Sequence, residues 1–128
     1  MDVVAKAEEV LRGDERLVAA YLFGSYAKGT ARTDSDVDIA ILFSEPTPAR
    51  LGGASDQLAR RLETALDRDV DVVDLSRAPA DLVHRVLRDG LLLMDRDRAR
   101  RIAFEVRRRA EYLDLKPYLD EYRRAATR

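Results

Sequence analysis

The sequence predicts an α/β domain built on a small mixed β-sheet flanked by helices. Three observations lead there. Short apolar runs of strand length alternate with stretches whose apolar residues recur every three or four positions. Glycine or proline marks the joints between them, at Gly13, Gly24, Pro46, Pro79 and Gly90. The chain has 128 residues, 46% of them hydrophobic, which suits one domain over 1–128 with a core of its own.

Residues 2–12 read as a short amphipathic helix, with Val3, Ala7, Val10 and Leu11 at helical spacing, Asp2 as cap and Gly13-Asp14 as stop. Arg16 to Phe23 is apolar on both faces, as in a strand covered on two sides. A loop with a short helix around 25–28 leads to a second strand, Val37 to Phe43, and Pro46 and Pro48 close that unit. Leu51, Leu58, Leu62, Ala65 and Leu66 outline a helix that is firmest from Ser55 to Asp67, since Gly52-Gly53 weakens its start. Asp69 to Leu75 is a third strand. Pro79 suits the first turn of a helix whose buried face is Leu82, Val83, Val86 and Leu87, and Gly90 ends it. Leu91 to Met94 is a short strand. From Asp97 to about Tyr112 a helix carries Ala99, Ile102, Ala103, Val106, Ala110 and Leu113 on one stripe, and the expectation is that Lys116-Pro117 breaks it before a final helix to about Ala125.

Composition excludes several classes. With no cysteine there is no disulfide framework and no thiolate metal site, and one histidine, His84, cannot build a histidine-rich zinc site. His84 itself is expected on the partly exposed side of its helix. The charged fraction is 37%, above a typical value of about 25%, yet the net charge is −1, so no global field favours nucleic acid or a membrane. No apolar run nears the roughly 20 residues of a membrane span, and the first residues lack the form of a signal peptide, so a soluble cytoplasmic protein is the expectation. Charge is uneven: residues 1–95 hold 12 basic and 18 acidic side chains, whereas 96–128 hold 11 and 6. The arginines at 98, 100, 101 and 107–109 read first as a solvated helix face and second as a docking surface, and Tyr112, Tyr118 and Tyr122 as helical packing or a partner face.

The chemistry lies between Leu22 and Phe43. Side chains on a strand alternate faces, so Asp36 and Asp38 point to one side at the mouth of the second strand, and Val37, Ile39, Ile41 and Phe43 to the other. Two carboxylates about 7 Å apart along a strand repel one another and converge well on a hard divalent cation. Gly24-Ser25 asks for a different ligand: the glycine permits a tight turn and close approach, and a serine opening a helical turn offers a hydroxyl and free N–H donors, which together suit a phosphate. Either half alone is ordinary turn chemistry. Together they read as metal–nucleotide chemistry.

Gly24-Ser25, ten residues and then Asp36-Val37-Asp38 resemble the signature of the polymerase-beta-like nucleotidyltransferase superfamily. Gly24-Ser25-Tyr26-Ala27-Lys28-Gly29 and Ser35-Asp36-Val37-Asp38 look like its minimal nucleotidyltransferase branch, with weaker support from Asp69 to Leu75 and from Tyr112 to Pro117. The resemblance implies a short sheet flanked by helices with the active site at one edge, Mg²⁺ ions held by Asp36 and Asp38, and the β- and γ-phosphates of a nucleoside triphosphate held by Gly24 and Ser25. A two-metal site wants a third carboxylate from another strand. Parity puts Asp69 and Asp71 on one face and Asp74 on the other; the resemblance points to Asp71, as metal ligand and as general base. Lys28 and Arg32 are candidates to add positive charge near the phosphates.

The implied reaction is attack of a hydroxyl on the α-phosphate with loss of pyrophosphate. A chain this short leaves no room for an acceptor domain, so a partner protein would carry the acceptor, with helices at about 97–125 as docking segment. The chain resembles nucleotidyltransferase antitoxins that pair with HEPN-domain ribonuclease toxins. That resemblance implies an antitoxin transferring AMP from ATP to a tyrosine of the toxin, inside a hetero-oligomer. Two alternatives are an antitoxin acting by occlusion alone and a small-molecule nucleotidyltransferase working with a helical partner.

Overall fold

The fold, seen in a computed structural model that describes residues 2–32, 35–48 and 50–126, alternates nine elements. They are α1 (Val3–Arg12), β1 (Leu17–Phe23), α2 (Ser25–Lys28), β2 (Val37–Phe43), α3 (Ala54–Leu66), β3 (Val70–Asp74), α4 (Ala80–Asp89), β4 (Leu91–Asp95) and α5 (Arg98–Ala126). Thr33 and Asp34 of the motif loop lie outside the described residues.

One mixed sheet has the order β3-β2-β1-β4. β1 runs antiparallel to β2 and β4, and β2 runs parallel to β3. The parallel pair needs a crossover, which α3 supplies. Alternation along the central strands feeds two cores. Val37, Ile39, Ile41 and Phe43 of β2 meet Ala7 and Leu11 of α1 and Leu58, Leu62 and Leu66 of α3 on one face. Ala40 and Leu42 meet Val83 and Val86 of α4 and Phe104 of α5 on the other. β1 is buried throughout except at Phe23, which fits its unbroken apolar run.

Local chemistry sets the ends. The Asp2 carboxylate accepts from the Val4 N–H at 3.0 Å and starts α1, and Gly13 closes it. The buried Asp14 carboxylate then takes hydrogen bonds from the Arg16 backbone and guanidinium and from Arg61 of α3, which ties the α1–β1 turn to α3. Arg96 donates to the carbonyls of Arg12, Asp14 and Leu17, fixing the end of β4 to the same turn.

Several expectations need correction. Leu51 lies before α3 and is 98% exposed, because α3 starts only at Ala54, after Gly52-Gly53. α5 does not break at Lys116-Pro117 but runs unbroken over 29 residues with Pro117 inside it. Proline costs a helix interior about 3 kcal/mol. Here the carbonyl left without a donor belongs to Leu113, an exposed residue, and a Lys116–Asp120 ion pair at 3.0 Å spans the site. The apolar stripe of α5 is also not its buried face. Phe104, Glu105 and Arg108 face inward, while Ile102, Val106 and Leu113 face out.

Polar groups decide that orientation. The buried Tyr21 hydroxyl donates to Glu105 Oε2 at 2.8 Å, and Arg101 reaches the same oxygen at 2.6 Å and Asp95 at 2.8 Å. Arg108 donates to the carbonyls of Leu75 and Ala78. Arg101 and Arg108 are thus structural and not part of a solvated face. Tyr112 stacks on His84 of α4, ring centroids 3.7 Å apart, so the lone histidine joins α4 to α5. Tyr118 and Tyr122 are exposed.

Candidate active site

β1 ends at Phe23 directly opposite Asp38 of β2. The next residue, Gly24, has φ 72° and ψ −149°, a conformation that glycine adopts without steric cost. A Cβ built on it would lie 2.2 Å from Asp38 Oδ2, so a side chain there would have to move that carboxylate. α2 begins at Ser25. Its first N–H groups have no acceptor within the helix, as in any first turn. The Ser35 hydroxyl accepts from the Arg32 N–H at 2.7 Å and shapes the loop that returns to β2.

The register of the parallel pair decides which acid joins them. Asp38 pairs with Asp71, so their side chains leave the sheet on the same face, the one toward α4. Asp36 lies two residues before Asp38, just ahead of β2. Asp69 lies ahead of β3, where its carbonyl accepts from the Val37 N–H at 3.0 Å. Asp74 sits at the far end of β3, caps Ser76 through both N–H and hydroxyl, and shapes the turn into α4. The structure therefore brings together Gly24, Ser25, Asp36, Asp38 and Asp71, with Asp69 at the rim and Asp74 outside.

Asp38 is half-buried, whereas Asp36 and Asp71 are exposed. Burial first, then the charges of Asp71 and Asp36, raise the Asp38 pKa above the ordinary aspartate value. A divalent cation would relieve that repulsion, and carboxylate oxygens are the hard donors that Mg²⁺ prefers. Among the described residues no three acidic or histidine side chains close on one ion by themselves.

Lys28 is exposed, and its charge lowers the pKa of Asp89, after the larger effect of Arg88 paired with Asp89 at 2.8 Å. It therefore faces the C-terminal end of α4. Arg32 is exposed on the loop. Sequence reasoning missed Arg68, whose guanidinium lies over the Tyr26 ring at 5.9 Å and braces α2 from the turn before β3. Its position next to the acidic strand was the available signal.

The sequence profile of the polymerase beta nucleotidyltransferase family matches residues 5–99, a span that holds the whole of this site. The chain belongs to this nucleotidyltransferase family. Among its relatives, the protein adenylyltransferase MntA of Shewanella oneidensis is 43% identical over 75 residues, which are 59% of this chain and 52% of that protein. The match thus spans about half the length of the curated relative. A chain in a crystal structure of a toxin–antitoxin with AMP-PNP superimposes with a TM-score of 0.84 at 32% identity, covering 98% of each chain. A chain in the structure of a tri-AMPylated Shewanella oneidensis HEPN toxin in complex with MNT antitoxin gives 0.78 at 29% identity, over 98% of this nucleotidyltransferase and 97% of that chain. No helix of the described residues is long and apolar enough to cross a membrane.

Proposed function

We propose that this nucleotidyltransferase is an antitoxin-type protein adenylyltransferase. It transfers AMP from ATP to a tyrosine hydroxyl of a HEPN-domain toxin and so silences it, in the cytoplasm, where ATP is abundant. The observation that carries the reading is the Gly24 backbone pressed against a half-buried Asp38 whose register partner is Asp71. The likeness to antitoxin chains over nearly the full length supports the choice of acceptor.

In this reading Gly24 and the N–H groups and hydroxyl of Ser25 hold the β- and γ-phosphates. Asp36, Asp38 and Asp71 would hold Mg²⁺, which when bound would neutralise the triphosphate and the charge that develops at the α-phosphate. Asp71, exposed beside Asp38, takes the proton of the attacking hydroxyl. The tyrosine oxygen bonds to the α-phosphorus, the bond from that phosphorus to the bridging oxygen breaks, and pyrophosphate leaves with the electron pair. Positioning supplies most of the rate, since the site offers no covalent nucleophile.

Asp38→Asn tests the reading against simple occlusion. The toxin is incubated with the chain, ATP and Mg²⁺, purified away from it, and assayed as a ribonuclease. Toxin treated with the native chain is expected to stay silent, and toxin treated with Asp38→Asn to recover. Recovery after both treatments would overturn the transfer reading in favour of occlusion.

A further inference from the structure

The phosphate cradle offers hydrogen-bond donors but little charge. Gly24 and Ser25 are neutral, and α2 is only four residues long, too short for a full macrodipole. The fixed charges around it are negative: Asp36, Asp69 and Asp71 are exposed, and Asp38 is half-buried. A nucleoside triphosphate brings several more negative charges into that field. Of the two cations nearest in sequence, Lys28 faces Asp89 at the end of α4, and Arg32 is exposed on the loop.

Arg68 arrives from another element. It lies two residues before β3 and is half-buried, and its guanidinium stands over the ring of Tyr26 in α2 at 5.9 Å. The sheet order puts β2 between β3 and β1. A contact between the turn before β3 and the helix after β1 therefore crosses the mouth of β2, where Asp36 lies. The neighbouring Asp69 is pinned at that mouth, its carbonyl accepting from the Val37 N–H at 3.0 Å. Tyr26 packs against the core shared with α1 and α3, so its ring is a fixed seat. A cation over an aromatic face is held by its charge, which leaves the direction of its N–H groups to be set by other partners. The other charged side chains of this turn are acids: Asp67, exposed, ends α3, and Glu63 accepts from the Val70 N–H.

We infer that Arg68 binds the β- and γ-phosphates of the nucleotide and steadies pyrophosphate as it leaves. Its planar fork suits two phosphoryl oxygens. When the bond from the α-phosphorus to the bridging oxygen breaks, negative charge grows on the departing pyrophosphate, and a guanidinium placed there stabilises it. Before nucleotide arrives, the same cation offsets the acids at the mouth of β2. This rests on the reading of Gly24 and Ser25 as the triphosphate cradle, and it supplies the charge that the cradle lacks. The rival role is a brace that only holds α2 in place through Tyr26.

Calorimetry separates the two roles. The native chain, Arg68→Met and Arg68→Lys are each titrated with ATP and with AMP in the presence of Mg²⁺, with Tm as the folding control. AMP has no β- or γ-phosphate, so a group that touches only those phosphates leaves its affinity alone. Arg68→Met keeps an unbranched stem and loses the charge: ATP is expected to bind at least tenfold more weakly, and AMP within twofold of native. Arg68→Lys keeps the charge without the fork and is expected to lose ATP affinity threefold to tenfold, which carries the test if Arg68→Met melts early. Equal losses of ATP and AMP affinity would overturn the inference and leave Arg68 a brace. So would ATP affinity within threefold of native in either variant, while a native preference for ATP over AMP would keep the cradle reading standing. A native chain that binds ATP no more tightly than AMP would overturn the cradle reading and this inference with it.

Discussion

A methyl group on Gly24 would have to displace the carboxylate that the site is built on, since its Cβ would stand 2.2 Å from Asp38 Oδ2. The residue also sits at φ 72° and ψ −149°, a region used almost only by glycine, where an L side chain is strained by about 1–3 kcal/mol. Gly24→Ala therefore acts on function more than on folding. We expect a Tm drop of a few degrees and a loss of AMP transfer of at least 100-fold, measured with ATP and Mg²⁺ at saturating toxin. Activity within tenfold of native would mean that the closeness of backbone and carboxylate does not matter to the chemistry. At this scale much of the site was legible. Asp36-x-Asp38 declares a shared face by strand parity alone, and Gly24-Ser25 declares a tight turn. The choice between Asp69 and Asp71 was not legible by parity, because both share a face of β3 and only the register of β3 against β2 sets Asp71 beside Asp38.

Between elements, the hydrogen bonds of Asp14 join α1, β1 and α3. The Arg16 guanidinium, opposed by burial and helped by the Arg16 N–H and Arg61, holds the Asp14 pKa down from 3.8 to about 2. A folded-state pKa below the unfolded one contributes stability above pH 3.8 that is lost as pH falls toward 2. The shift corresponds to roughly 2 kcal/mol at most, trimmed because both arginines are half exposed. Asp14→Asn should thus lower the unfolding free energy by about 1–2 kcal/mol near neutral pH, with the gap closing between pH 4 and pH 2 in denaturant titrations. A gap independent of pH would remove the ionic account.

α5 shows where element-level reading stops. Its helical period was legible and its facing was not. An apolar stripe is normally the buried one. Here the Tyr21–Glu105–Arg101 hydrogen bonds and the grip of Arg108 on two carbonyls turn it outward. Those partners are 84 and about 30 residues away in the chain. Sequence pattern cannot weigh such distant polar pairings against a local apolar period. β2 was legible to the residue, since a central strand packed on both faces must alternate two apolar sets and the sequence leaves no other phase.

For the whole molecule, the proposed transfer takes place at one end of the sheet, where β1, β2 and β3 bring Gly24, Asp36, Asp38 and Asp71 together. The central claim is transfer of AMP to a protein. Its most direct test is the intact mass of the HEPN-domain toxin after incubation with this nucleotidyltransferase, ATP and Mg²⁺. One or more adenylate-sized increments, absent with Asp36→Asn/Asp38→Asn and absent when Mg²⁺ is chelated, are the predicted result. An unchanged toxin mass in a complex that still forms would contradict the account and reduce the chain to a binding antitoxin.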